Sequence, residues 1–116
     1  VEGTIDDKLD SLDALIAGFP AGTVSGAPKI RAMEIIEELE NLNRSFYAGC
    51  MGYFDSNGDM DTCISLRTGL VKKNKLYIQA GAGIVYDSKP KNEHNEILNK
   101  ASALMAAAKD SYKYNL

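Results

Sequence analysis

Phe46-Tyr47-Ala48-Gly49-Cys50-Met51-Gly52-Tyr53-Phe54, followed across Asn57-Gly58 by Met60-Asp61-Thr62-Cys63-Ile64-Ser65-Leu66-Arg67-Thr68-Gly69, decides the fold class. The first run is apolar on both faces, which suits an interior strand. The second alternates. Met60, Thr62, Ile64, Leu66 and Thr68 fall on one side, and Asp61, Cys63, Ser65 and Arg67 on the other, the period-two pattern of a two-faced strand. Asn-Gly between two such runs is a strong hairpin signal. Downstream, Lys72 to Lys75 reads as a charged turn and Lys75 to Ala80 as a third strand, broken by Gly81-Ala82-Gly83. A helix is then predicted from about Pro90 to Lys109. Upstream, Ser25 to about Glu40 predicts a helix, with Pro28 in its first turn and Ile30, Met33, Ile36 and Leu39 as its buried stripe. Asp6 to Phe19 predicts another, led by aspartates and stopped by Gly18 and Pro20. The order ααβββα gives an α+β fold, an antiparallel sheet packed against helices.

The chain has 116 residues, 45% hydrophobic and 25% charged, with a formal charge of −3. This is the profile of one soluble globular domain or of a piece of a larger one. Without a basic excess or a Lys/Arg block, no nucleic-acid partner is expected. The longest uncharged run, Ala14 to Pro28, is interrupted by Gly and Pro and is shorter than the roughly 18 apolar residues of a membrane span, so no membrane partner is expected either. Val1-Glu2-Gly3 shows no secretion signal. Cys50 and Cys63 lack metal-type spacing, so a reducing, cytoplasmic setting is the expectation.

Four features could carry chemistry. Glu93 and Glu96, three apart on the last helix, project from one face and could share a magnesium ion, although Glu96 and Lys100 could equally form an ordinary i,i+4 ion pair. His94, between them, points elsewhere on the helix. Arg67 sits mid-strand, where a guanidinium could bind a carboxylate bidentately or meet an internal partner such as Asp61 or Asp55. Gly81-Ala82-Gly83 could bring bare backbone N–H groups to an anion, or be a plain bend. Gly22-Thr23-Val24-Ser25-Gly26-Ala27-Pro28-Lys29 fails as a phosphate loop: its lysine is one residue too late, no Gly precedes it and no Ser or Thr follows.

Taken in chain order, Phe19-Pro-Ala-Gly-Thr-Val-Ser-Gly-Ala-Pro-Lys-Ile-Arg-Ala-Met-Glu-Ile-Ile36, the hairpin stretch above, Gln79-Ala-Gly-Ala-Gly-Ile-Val85 and Glu93-His-Asn-Glu-Ile-Leu-Asn-Lys-Ala101 resemble the chorismate-utilising enzymes. Within that family the chain is most similar to the anthranilate synthase component I branch. The 4-amino-4-deoxychorismate synthases usually carry a different glycine loop and a Gly-Gly-Gly run at Gly81-Ala82-Gly83. The resemblance implies that residues 1–116 are the C-terminal portion of a larger catalytic domain, part of an α/β sandwich. The family's catalytic histidine and further magnesium glutamates would then lie upstream of Val1, and the isolated chain would be inactive.

The same resemblance implies a magnesium-dependent amination of chorismate, with ammonia supplied by a glutamine amidotransferase subunit and pyruvate eliminated to leave anthranilate. By analogy Glu93 and Glu96 hold the Mg2+. Arg67 and Tyr47 bind the enolpyruvyl carboxylate, Gly81 and Gly83 offer backbone N–H groups, and Thr23 and Lys100 line or support the pocket. A 4-amino-4-deoxychorismate synthase and a non-catalytic α+β interaction module are the alternatives. Sheet edges and apolar faces left open would favour a homo-oligomer of the fragment. If Tyr47 and Arg67 serve one carboxylate, the hairpin loop must be odd and centred on Asn57, because a two-residue loop would pair Arg67 with Ala48 instead. In the odd register Cys50 and Cys63 face opposite ways, and no disulfide is expected.

Overall fold

A computed structural model describes residues 3–114. The fold is α+β, in two compact units, Val1–Ser65 and Leu66–Leu116.

In the first unit, helix α1 spans Ser11–Gly18, starting later than the leading aspartates predict. Asp10 wins the cap: its carboxylate accepts from Asp13 N at 2.9 Å, and Asp13 returns the bond to Asp10 N at 3.1 Å. This reciprocal box satisfies two N–H groups that the first turn leaves open. Asp6 instead closes a separate turn through its carbonyl and carboxylate. Phe19 is extended, as a residue before proline prefers, and ends the helix. The loop that follows holds a one-turn helix, α2 (Gly22–Ser25), which the small-residue composition did not suggest. Helix α3 is Lys29–Leu39, with Pro28 at its N-cap rather than inside the first turn. The stripe expected to be buried is not: Ile30, Met33 and Leu39 are exposed and Ile36 is half-buried, because little packs across from them.

Strands β1 (Cys50–Phe54) and β2 (Met60–Ile64) form an antiparallel pair. The closing rung is Phe54↔Met60, so the loop is odd and centred on Asn57. Asp55 builds it. Its carboxylate accepts from the Asn57 and Asp59 amides at 2.8 and 3.0 Å, and its carbonyl from Gly58 N at 3.2 Å. Gly58 takes φ 90°, the left-handed region that glycine enters at no steric cost. Cys50 pairs with Ile64 and Cys63 with Met51. The two thiols thus occupy neighbouring rungs with opposite facing, and both are free. Residues 46–49, expected in the strand, are instead in turn and irregular structure, with Ala48 at φ 64°.

Leu66 to Thr68 does not continue β2, because Arg67 adopts φ 55° and turns the chain. Gly69–Lys72 becomes a strand of its own, β3, pairing with β4 (Lys75–Ile78). Lys73 and Asn74, both left-handed, make the two-residue turn whose twist matches an antiparallel ribbon. The single three-stranded sheet of the sequence reading is therefore two hairpins. Helix α4 runs Pro90–Asp110 with Pro in its first turn, packs on β4, and ends in a short 3-10 turn, Ser111–Tyr114. Among the described residues, no helix is long and apolar enough to cross a membrane.

The core is thin. Among the described residues Ala48 is the one buried hydrophobic residue, and every residue of β1, expected to be interior, is exposed. The accessible surface is 9871 Å². Two separate folded bodies, each of half this mass, would together expose only about 7,500 Å². β1 is apolar on both faces, and neither face is covered among the described residues.

Candidate functional site

The residues singled out from sequence fall into two groups, one in each unit.

In the first unit, Thr23 is exposed on α2 and Tyr47 is half-buried in the turn after α3. Tyr47 borders a groove of about 290 Å³ whose apolar wall includes Phe19, Val24, Met33 and Ile36. Sequence reasoning missed the residue that organises this corner. Arg44 donates from Nε and Nη2 to the two Glu40 carboxylate oxygens at 2.8 and 2.5 Å. Its Nη1 donates to the Val24 carbonyl at 2.9 Å, and its guanidinium lies 5.9 Å from the Tyr47 ring centroid. The hydrogen bonds from Arg44 hold the Glu40 carboxyl below the ordinary glutamate range, against the opposing effect of partial burial. The reciprocal bonds raise the Arg44 pKa. The i,i+4 spacing of Glu40 and Arg44 was the available signal, but Val24 lies twenty residues away.

In the second unit, three predicted residues meet. Lys100 Nζ donates to the Gly81 carbonyl at 3.0 Å and pairs with Glu96 Oε1 at 2.5 Å. One ammonium thus ties the glycine bend to the middle of α4. The ordinary ion pair is therefore real, and it anchors the bend as well. Glu93 lies in the first turn of α4, one helical step before Glu96, and is half-buried; Glu96 and His94 are exposed. Gly83 is exposed, with open space where a Cβ would stand. Arg67 is exposed and, among the described residues, makes no salt bridge or side-chain hydrogen bond. The Asp55 carboxylate, one of its expected partners, is occupied by the hairpin amides. The β1–β2 ladder has the odd register expected if Tyr47 and Arg67 were to face each other, but it ends at Cys50↔Ile64, before either residue.

The donor set fits a hard, water-keeping cation. Magnesium keeps several waters and takes one or two protein carboxylates, and Glu93 and Glu96 supply two from one helix face. Among the described residues no third His, Cys, Asp or Glu joins them. The Lys100 ammonium occupies one Glu96 oxygen and competes with a cation there.

The chain is 59% identical, over 96% of its length, to anthranilate synthase component 1 of Cereibacter sphaeroides. Proteins of the same name from Aquifex aeolicus and Acetivibrio thermocellus are 55% and 51% identical over 92% and 96% of this chain. The chain spans about a fifth of the length of these relatives, 22% in all three. The sequence profile of the chorismate binding enzymes matches residues 1–106, and the chain belongs to that family.

Proposed function

We propose that this chain forms part of an enzyme that converts chorismate and ammonia to anthranilate, pyruvate and water, the committed chemistry of tryptophan biosynthesis. The observation that carries the reading is identity of 51–59%, over 92–96% of the chain, to proteins named anthranilate synthase component 1. The word component in those names supports a second subunit, a glutamine amidotransferase that delivers the ammonia.

The side chains have matching work to do. Arg67, which makes no ion pair among the described residues, is planar and suits a carboxylate, and Tyr47 offers a hydroxyl suited to a substrate carboxylate. The Gly81–Gly83 bend offers backbone N–H groups to carboxylate oxygens, held in place by Lys100 through the Gly81 carbonyl. Thr23, exposed on α2, offers a second hydroxyl. Glu93 and Glu96 would hold magnesium, which when bound supplies Lewis-acid charge for the ring carboxylate of the substrate. Those carboxylates, the guanidinium and the amides all act by stabilising charge that develops as the ring hydroxyl leaves.

The test is product identification. The full-length subunit that contains this chain, given chorismate, magnesium and an ammonium salt, should release anthranilate, read by fluorescence and mass. Release of 4-amino-4-deoxychorismate would move the protein to the folate branch. Neither turnover nor chorismate binding would leave a non-catalytic module. The isolated 116-residue chain should give no anthranilate above the enzyme-free background.

A further inference from the structure

We infer that Arg44 is a positioning residue that sets Tyr47 and the Thr23-bearing helix α2 against each other. The inference rests on the proposed role of Tyr47 in holding the substrate carboxylate. Its guanidinium reaches three partners in three places along the chain: Glu40 just past α3, the carbonyl of Val24 in α2, and the face of the Tyr47 ring. Each fixes a different degree of freedom.

The two bonds to Glu40 form a planar fork, which sets the plane of the guanidinium as well as its position. With that plane set, the third N–H is aimed at Val24, a partly buried carbonyl. α2 is a single turn and has little helical stability of its own. Ser25 Oγ bonds only within the same loop, to Ala21 and Gly26 carbonyls. Among the described residues, the tie from Arg44 is the hydrogen bond that joins this short helix to the segment after α3. Tyr47 follows three residues later; its amide bonds the Arg44 carbonyl at 2.9 Å and its ring lies beside the Arg44 cation. A displaced guanidinium would release α2 and the tyrosine ring together. A lysine could not replace it, because an ammonium cannot hold a carboxylate bidentately while also aiming at a carbonyl.

Two measurements test this. In the chain itself, Arg44→Ala should raise amide hydrogen exchange at residues 24–26 and at 47–49 together, by about tenfold, the equivalent of one charge-assisted hydrogen bond. Faster exchange confined to one of the two segments would overturn the coupling. In the full-length subunit, Arg44→Ala should raise KM for chorismate about tenfold with a smaller change in kcat. That penalty should vanish in a Tyr47→Phe background, which has no hydroxyl left to misplace. An equal penalty in both backgrounds would overturn action through Tyr47. Glu40→Gln loosens the fork without removing it. It should give a smaller effect in the same direction, and it serves where Arg44→Ala does not fold. If the wild-type subunit does not use chorismate, the functional reading fails, while the exchange measurement still decides the positioning claim.

Discussion

The two units solve one problem with different cations. Each must hold a glycine-rich or small-residue loop against a helix or the segment beside one, and each does so through a basic side chain that reaches a carbonyl about twenty residues away. In the first unit the cation is Arg44, locked by a fork to Glu40 and placed beside an aromatic ring. In the second it is Lys100, a point charge with one carboxylate oxygen for company. The arginine corner is built to stay. The lysine corner engages one Glu96 oxygen and leaves the other without a protein partner among the described residues.

The largest expected contrast lies between two glycines. A Cβ at Gly52 would stand 2.2 Å from the Asp61 carbonyl oxygen, a backbone atom that cannot move aside without opening the β1–β2 ladder. Gly52→Ala should cost about 3 kcal/mol and remove exchange protection from that hairpin. Gly83→Ala meets open space and should stay within about 0.5 kcal/mol. Equal effects would erase the difference between the close backbone approach at Gly52 and the open bend at Gly83.

Next come the cations. Arg44→Ala should destabilise the first unit by about 2 kcal/mol, most of it from the partly buried bond to Val24, since solvent screens the half-exposed Glu40 pair. Lys100→Ala should cost the second unit about 1 kcal/mol or less. Denaturant series read by exchange in each unit would rank them, and the reverse order would break the comparison.

A pH series sharpens it. Glu40 has a lower pKa folded than unfolded, so its contribution is complete above the unfolded value of about 4.3 and is lost as pH falls through the folded one. The urea midpoint of the first unit should therefore drop below about pH 4.3, and Arg44→Ala should flatten that step. As small a stability effect as at Gly83 is expected of Glu93→Ala/Glu96→Ala, within about 0.5 kcal/mol without metal. Calorimetry of the full-length subunit should nonetheless show this variant losing magnesium-dependent chorismate binding. Unchanged affinity would sink the metal assignment.

What the sequence made legible follows from periodicity. The apolar stripe Ile30, Met33, Ile36 and Leu39 found α3, and Pro90 marked the start of α4. The parity argument at Asn57 found the hairpin register. What it hid depended on single backbone angles or on distant partners. Arg67 at φ 55° split one expected strand in two, although Lys73-Asn74 between Val71 and Leu76 held a readable turn signal. Asp10 outcompeted Asp6 as a cap because Asp13 could answer it. At the site, the spacing of Glu93, Glu96 and Lys100 was visible, while the bonds Lys100–Gly81 and Arg44–Val24 exist only after folding. β1 shows the limit most plainly. Its residues announce burial, but burial is a property of whatever lies across from them.

The five-residue connection between Phe54 and Met60 carries a rule for how this protein can drift or be engineered. Adding or deleting one amino acid there would put β2 out of phase and swap the outlook of every residue from Met60 to Ile64. Changes by two would preserve it. Tolerated length variants of this tip should therefore arrive in pairs, and a lone insertion should be rescued by a second one beside it.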